Sequence, residues 1–198
     1  MSLTVYSIGH SNHAIETFIA MLERHDIAVL CDVRSAPYSR HNPQYKKQAL
    51  QQSLSAHGIK YVFLGKELGA RSNDPNCYRD GKVQYNLIAK TGLFQSGLAR
   101  LINGAETYKV AIMCAEREPL DCHRTLLVTR ELERHGVSVL HILADGSLEP
   151  HAETMNRLMN SLKLDSGDLF LNGAQRREEA YNTRAGIIVY GQEEDAPG

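Results

Sequence analysis

The sequence predicts an α/β fold, a three-layer, Rossmann-like parallel sheet of about five strands flanked by helices, with a C-terminal helix and tail. Five short apolar runs rich in β-branched residues are nearly continuous in hydrophobicity, as in strands buried on both faces. Helical periods or long connections separate these runs, and this alternation implies parallel strands joined by right-handed crossovers. The predicted strands are Val5–Ile8, Ile27–Leu30, Tyr61–Leu64, Val110–Met113 and Val137–Ile142.

Helices are predicted where apolar residues recur every three or four positions, or where a proline and a glycine bracket a segment. Proline suits the first turn of a helix, and glycine commonly follows the last. The predicted helices are one with Ile15, Phe18, Ile19 and Leu22 on one face, one that starts after Pro43 and ends at Gly58, one from Thr125 to His135, and one carrying Met155, Leu158, Met159 and Leu162.

The charges of the chain nearly cancel, with 22 Lys and Arg against 23 Asp and Glu among 198 residues. This balance argues against a protein that coats polyanions through bulk charge. Residues 1–148 carry 17 basic and 14 acidic residues, whereas 149–198 carry 5 and 9. We expect a single α/β domain over 1–162, including the last predicted helix, and a polar, acidic, partly flexible tail over 163–198. Residues 185–190 could instead form an edge strand.

No apolar run approaches the roughly 18 residues that a membrane span needs, and the N-terminal residues lack the pattern of a signal peptide. We therefore expect a cytoplasmic protein with no membrane partner. In a reducing compartment its cysteines stay thiols, so each must pack, bind a metal or act as a nucleophile. These cysteines are Cys31, Cys77, Cys114 and Cys122.

Polar residues that follow the strands are candidates for a site, because the carboxyl ends of parallel strands meet at one edge of a sheet. After the first strand, Gly9 permits a close turn, His10 can titrate near neutrality and Ser11 can cap a helix. A capping turn with an incidental histidine is the alternative. The glycine-rich motifs of dinucleotide-binding and phosphate-binding loops are absent.

The second strand leads into a basic segment. Asp32 and Arg34 can both project into the crevice, as a base and an anion clamp, with Ser35 beside them. Between Arg34 and Lys47 there are four Lys or Arg residues, including Arg40, with two tyrosines and no acidic residue. Such a segment favours phosphate or a nucleic-acid backbone. A solvated loop with an internal ion pair is equally consistent with it.

The connection from Lys66 to Val83 is long and lacks an apolar period, which indicates either a lid or a disordered insertion. If it is a lid, Arg71, Tyr78 and Arg79 could close over a substrate.

Five reactive or charged residues follow the fourth strand: Cys114, Glu116, Cys122, His123 and Arg124. With Asp121 as the N-cap, the last three would lie in the first turn of a helix, where anions bind and the pKa of a thiol falls. Cys122 could be a nucleophile and Arg124 an anion ligand. Cys114, Cys122 and His123 could instead bind a metal, or the two cysteines could only pack.

Five motifs, taken in order, resemble the signature of a family of unknown function, DUF488. They are Ser7-Ile8-Gly9-His10-Ser11, Asp32-Val33-Arg34-Ser35 with Pro37 and Ser39-Arg40, Leu68-Gly69, Met113-Cys114-Ala115-Glu116, and Cys122-His123-Arg124. The resemblance covers roughly residues 5 to 145 and implies a three-layer α/β fold in a cytosolic protein of bacterial or archaeal type. It assigns no activity, and it implies a site at the polar residues of these motifs.

From these observations we predict a hydrolase or group transferase that acts, without a cofactor, on a small phosphorylated molecule, a nucleotide or a nucleic-acid component. An N-glycosidic bond is the first candidate, because a carboxylate from Asp32 or Glu116, near His10, can stabilise an electron-poor sugar. The anion would be bound by Ser11, Arg34, Ser35, Arg40, Arg71, His123 and Arg124. One alternative is a nucleotide- or nucleic-acid-binding module without turnover, and another is thiol- or metal-dependent chemistry at Cys114 and Cys122.

Overall fold

A computed structural model describes residues 3–164 and 172–189 of the chain. Its strands are β1 (Thr4–Gly9), β2 (Val29–Asp32), β3 (Lys60–Phe63), β4 (Tyr78–Arg79), β5 (Lys82–Val83), β6 (Val110–Cys114), β7 (Ser138–Ile142) and β8 (Leu148–Pro150). The central sheet has the order β3-β2-β6-β1-β7-β8, while β4 and β5 form a separate hairpin. The five predicted parallel strands are confirmed, and β8 adds an antiparallel edge beside β7.

The helices are α1 (Ile15–Arg24), α2 (Lys47–Ala56), α3 (Gly65–Leu68), α4 (Tyr85–Ile88), α5 (Gly92–Thr107), α6 (Arg130–Arg134), α7 (His151–Ser161) and α8 (Gly173–Ile188). A π-helical turn at Arg124–Thr129 leads directly into α6. The helix predicted to start after Pro43 begins at Lys47, because Pro43–Tyr45 forms a separate 3-10 turn before α2. Within the described residues, no helix combines the length and the apolar character required to cross a bilayer.

Helices cover both faces of the sheet, which confirms the three-layer architecture. On one face, α1 and α2 contribute Phe18 and Leu54 to a core that includes Met113 of β6. On the other face, α5 to α8 contribute Phe94 and others to a core that includes Ile112. Full burial of each such side chain contributes about 1.5–3 kcal/mol. Because neighbouring residues of β6 face opposite layers, Cys114 lies with Ile112 on the α5–α8 side.

Two expectations from the sequence are corrected. The alternative of a disordered insertion at 66–83 is wrong, since this connection contains part of α3 and the β4–β5 hairpin and buries Cys77 and Val83. The edge strand considered for 185–190 is wrong, because Ala185–Ile188 belong to α8, whose Tyr181 and Ala185 are buried against the domain. Residues 165–171 and 190–198 of the expected tail lie outside the described residues.

A chain of buried polar contacts joins α8 to the sheet. The Ser7 hydroxyl lies 2.6 Å from Nδ1 of His141, and Nε2 of His141 lies 3.0 Å from Nδ1 of His151. Nε2 of His151 lies 2.5 Å from the hydroxyl of Tyr181. Burial and the charge of Arg177 lower the pKa of His151 to about 3, and burial lowers the pKa of His141 well below its ordinary value. Both rings are therefore neutral links at physiological pH.

Acid should weaken the fold through His151. Its pKa is about 3 in the folded chain against 6.5 in an unfolded one, so the unfolded state gains protons first as the pH falls below about 6.5. At pH 4.5 this residue alone should remove about 2–3 kcal/mol from the free energy of unfolding. Urea denaturation at pH 7 and 4.5 measures the loss, which should be smaller in His151→Gln. His41→Gln, at an exposed position, should keep the full pH dependence; equal losses in the wild type and His151→Gln would contradict this assignment.

Candidate functional site

A buried ion pair lies at the carboxyl end of β2. Oδ1 of Asp32 accepts hydrogen bonds from the backbone N–H and Nε of Arg34, at 3.1 and 2.9 Å, and Oδ2 accepts from Nη2 at 2.7 Å. The Tyr61 hydroxyl donates to the same Oδ2 at 2.8 Å. Asp32 is 0% exposed, so protein groups and not bulk water bind its carboxylate. Asp32 therefore holds Arg34 in place.

His10 supports the same guanidinium from the end of β1. Its Nε2 lies 3.3 Å from Nη1 of Arg34, its Nδ1 lies 2.8 Å from the carbonyl oxygen of Ser11, and its ring stacks on Tyr45. Burial lowers the pKa of His10 to about 4. The neutral ring thus donates through Nδ1 to Ser11 and accepts from Arg34 through Nε2.

A second buried arginine holds the loop after β6. Arg124 is 0% exposed, and its Nη1 and Nη2 donate to the carbonyl oxygens of Glu116 and Arg117 at 2.6 and 3.2 Å. This loop lies so close to β1 that a Cβ at Gly9 would be 1.9 Å from the Glu116 carbonyl oxygen. The guanidinium predicted as an anion ligand is thus bonded to backbone carbonyls.

The helix that follows begins directly after Cys122, which corrects the predicted N-cap at Asp121. Cys122 is extended (φ −138°, ψ 140°), and its carbonyl oxygen accepts from the backbone N–H groups of Thr125 and Leu126 at 3.0 and 3.1 Å. Asp121 lies in a 3-10 turn, and its carboxylate pairs instead with Arg184 of α8. Cys122 therefore precedes the helix instead of lying in its first turn.

Four side chains with metal-binding atoms converge beside this helix start, and we call them the four-residue cluster: Cys114, Glu116, Cys122 and His123. One ligand atom from each lies within 4.8 Å of all the others. Nδ1 of His123 lies 3.5 Å from Sγ of Cys114 and 3.9 Å from Sγ of Cys122. The Cys122 thiol donates to Oε2 of Glu116 at 2.9 Å. Nε2 of His123 lies 2.9 Å from the Val33 carbonyl oxygen and donates to it, so Nδ1 faces the sulfurs.

The close contacts shift the pKa of every group in the cluster. Burial raises the pKa of Cys114 well above 9, while burial of Cys122 is overcome by the Cys114 hydrogen bond and the charge of Arg124, which lower its pKa to about 6. Burial of Glu116 is likewise outweighed by hydrogen bonds from the two thiols, which lower its pKa to about 2. Burial opposes protonation of His123, but Cys122 and Glu116 raise its pKa above the ordinary value. The cluster thus concentrates negative charge beside an imidazole.

A cavity of about 230 Å³, the inner cavity, opens at this edge of the sheet. It is lined by Arg34, Ser35, Ala36, Tyr38, Ala70, Arg71, Cys114, Ala115, Glu116 and His123. An outer cavity of about 560 Å³ shares Ser35, Ala36 and Arg71 with it. At the rim, the ring of Tyr38 is 64% exposed, and Nζ of Lys46 lies 4.9 Å from its centroid.

The structure thus brings part of the predicted site together. Arg34, Ser35, Arg71, Cys114, Glu116 and His123 line the inner cavity, whereas His10, Ser11, Asp32, Arg40, Cys122 and Arg124 line neither cavity. Arg40 is exposed. Tyr78 and Arg79, once candidates for a lid, bond to their own loop through the carbonyls of Ser72 and Asn76.

Sequence reasoning missed three tyrosines. Tyr38 lines the inner cavity, and its place in the basic, aromatic segment was a usable signal. Tyr45 stacks on His10, and Tyr61 binds Asp32, through contacts that only the tertiary fold creates.

Comparison with known proteins returned one finding. The family model described as "Domain of unknown function DUF488" matches residues 14–130, which is more than half of the chain. No curated protein and no solved structure matches the chain.

Removing the Asp32 carboxylate should destabilise the protein strongly, because Asp32→Ala leaves the Arg34 guanidinium buried without its counter-ion. The free energy of unfolding should fall by about 3–5 kcal/mol. Glu23→Ala is the matched control, since Glu23 is 50% exposed and pairs with His57 at the surface; it should change the value by about 0–1 kcal/mol. Urea denaturation at pH 7 measures both. Equal losses would show that the buried pair holds nothing in place.

Proposed function

The chain belongs to the DUF488 family, whose description assigns no activity, and we propose from its site that it is an enzyme acting on a phosphate-bearing nucleotide or nucleic-acid component. The reaction is a hydrolysis or a group transfer. The observation that carries this proposal is the inner cavity, in which the cationic side chains of Arg34 and Arg71 lie in one lining with Glu116 and His123. A pocket of this kind can bind an anion close to a carboxylate.

Arg34 is prepared to bind a phosphate oxygen. Its Nε and Nη2 donate to Asp32 and the Tyr45 carbonyl, and its Nη1 reaches His10. Among the described residues these contacts account for four of the five guanidinium hydrogens, which leaves one Nη1–H for a ligand. Arg71, at the junction of the two cavities, adds a second cationic group.

The rim supports the choice of a nucleotide. Tyr38 presents an exposed ring, on which a base can stack, and Lys46 lies beside that ring. The outer cavity adjoins the inner one through Ser35, Ala36 and Arg71, so a ligand larger than a phosphate can extend into it. The larger volume falls in the usual range for small-molecule sites.

An N-glycosidic bond is the first reaction to test. Glu116, on the lining of the inner cavity, would accept a proton from water while the sugar carbon becomes electron-poor. The C–N bond breaks with its electrons going to the base, water adds hydroxyl to the carbon, and the water proton ends on the departing base. Asp32 and His10 are positioning residues in this scheme, because they act through Arg34.

A nucleic-acid-binding module without turnover is the second candidate, favoured by the exposure of Tyr38, Arg40 and Lys46 on one segment. Affinity for single-stranded DNA should then fall steeply with added salt.

The test is a screen of the full chain with nucleosides, nucleotides and single-stranded DNA, in which released base and released phosphate are measured. Release of either product supports the enzyme. Salt-dependent binding without release supports the binding module, and the absence of both overturns the two candidates together.

Replacement of Arg71 should weaken substrate binding. Arg71→Met keeps the length of the side chain but removes one charge-assisted hydrogen bond, worth about 1.5–3 kcal/mol. The Kd for the nucleotide identified in the screen should rise about 10–100-fold. Arg79→Met is the control, because Arg79 is exposed, lies on the same connection and lines neither cavity. Calorimetric titration measures both, and an equal rise in the two variants would remove Arg71 from the site.

A further inference from the structure

We propose that the four-residue cluster is a divalent-metal site and that its ion is Zn²⁺. The proposal shares residues with the proposed function, but it rests on ligand geometry and stands whichever substrate the inner cavity takes.

The four ligand atoms all lie within 4.8 Å of one another, and the separations from His123 are close to those of a small tetrahedral site. In such a site, with zinc bonds of about 2.0–2.3 Å, two ligand atoms lie about 3.3–3.8 Å apart. Nδ1 of His123 lies 3.5 and 3.9 Å from the two sulfurs. The 2.9 Å contact between Cys122 and Glu116 would have to widen by roughly 0.5 Å when the metal binds.

The surroundings hold the ligands as metal sites do. Nε2 of His123 donates to the Val33 carbonyl oxygen at 2.9 Å, which directs the lone pair of Nδ1 toward the sulfurs. This outer hydrogen bond is the usual partner of a ligating histidine. The backbone N–H of Arg124 donates to Sγ of Cys122 at 3.4 Å and supports negative charge on that sulfur.

The donor set selects the ion. Two thiolates and an imidazole suit Zn²⁺, whereas Mg²⁺ and Ca²⁺ prefer an all-oxygen shell. In the zinc-bound site both cysteines ligate as thiolates and His123 ligates through a neutral Nδ1, so every proton that these three atoms hold beforehand is released to solvent as the metal bonds form.

One side of the bound ion would face the inner cavity. Cys114, Glu116 and His123 line that cavity, and Cys122 lies behind them with 1% exposure. Glu116 is the longest and most exposed ligand, so it is the one that water or a substrate can displace. Three protein ligands with one exchangeable position are the pattern of catalytic zinc sites. If the proposed hydrolysis occurs here, the ion would lower the pKa of the attacking water, and the displaced Glu116 would accept its proton.

The test is the metal content of the full chain, purified without chelators, and the competition of the metal-free chain with a chromophoric chelator for added Zn²⁺. We expect about one zinc per chain. Cys122→Ser and His123→Asn should weaken binding at least about 10-fold, because each removes one ligand. Cys31→Ser and Cys77→Ser are the matched controls, since both cysteines are buried but lie outside the cluster, and both should keep the ion.

A second measurement guards against variants that do not fold. Co²⁺ added to the metal-free wild-type chain should produce the absorption bands of thiolate-bound tetrahedral cobalt. This measurement uses no substituted chain, so a folding defect cannot affect it. If the wild-type chain shows neither zinc binding nor these bands, the metal site is overturned. It is also overturned if Cys122→Ser and His123→Asn both retain zinc while circular dichroism shows that they are folded. Stoichiometric zinc without turnover of any substrate supports the site and counts against the proposed function. Turnover of a substrate by a chain that binds no metal supports the proposed function and counts against the metal site.

Discussion

The ion pair between Asp32 and Arg34 is the contact on which the carboxyl edge of the sheet depends. A guanidinium that is 5% exposed must find partners inside the protein, because leaving it unpaired would cost several kcal/mol. Its partners come from different segments of the chain: Asp32 from β2, His10 from the end of β1, and the Tyr45 carbonyl from the turn before α2. One charge thereby fixes the relative positions of three segments.

Arg124 has the corresponding role for the loop after β6. Its guanidinium binds the carbonyls of Glu116 and Arg117, and the absence of a side chain at Gly9 lets this loop lie against β1. The four-residue cluster adjoins both buried arginines, because three of its members share the inner-cavity lining with Arg34, and Arg124 binds the carbonyl of Glu116. It places a half-buried carboxylate beside two buried sulfurs, and the charge of Arg124 helps to lower the pKa of Cys122. Burying so many donor atoms together costs folding free energy, and such clusters are typical of sites that bind ligands or catalyse reactions.

Most of the fold and about half of the inner-cavity lining could be predicted from the sequence. Buried parallel strands are apolar along their whole length, so β1, β2, β3, β6 and β7 could be predicted. No local sequence pattern, however, indicates that β6 lies between β1 and β2 in the sheet. Helix α5 was not predicted, because Gly92, Gly97 and Gly104 weaken its helical pattern. Asp121 was misassigned because its partner, Arg184, is distant in sequence. Cys114, Glu116 and His123 could be found because they follow a strand, whereas the contacts of Tyr45 and Tyr61 depend on the folded arrangement.

The strand order also governs when the sheet can form during synthesis. β1 pairs only with β6 and β7 among the described strands, and the first of these begins at Val110. About a hundred further residues must therefore be synthesised after β1 before the first strand that pairs with it exists. Until then both edges of β1 lack a strand to pair with. A chain interrupted before β6 would have no central strand on which to assemble.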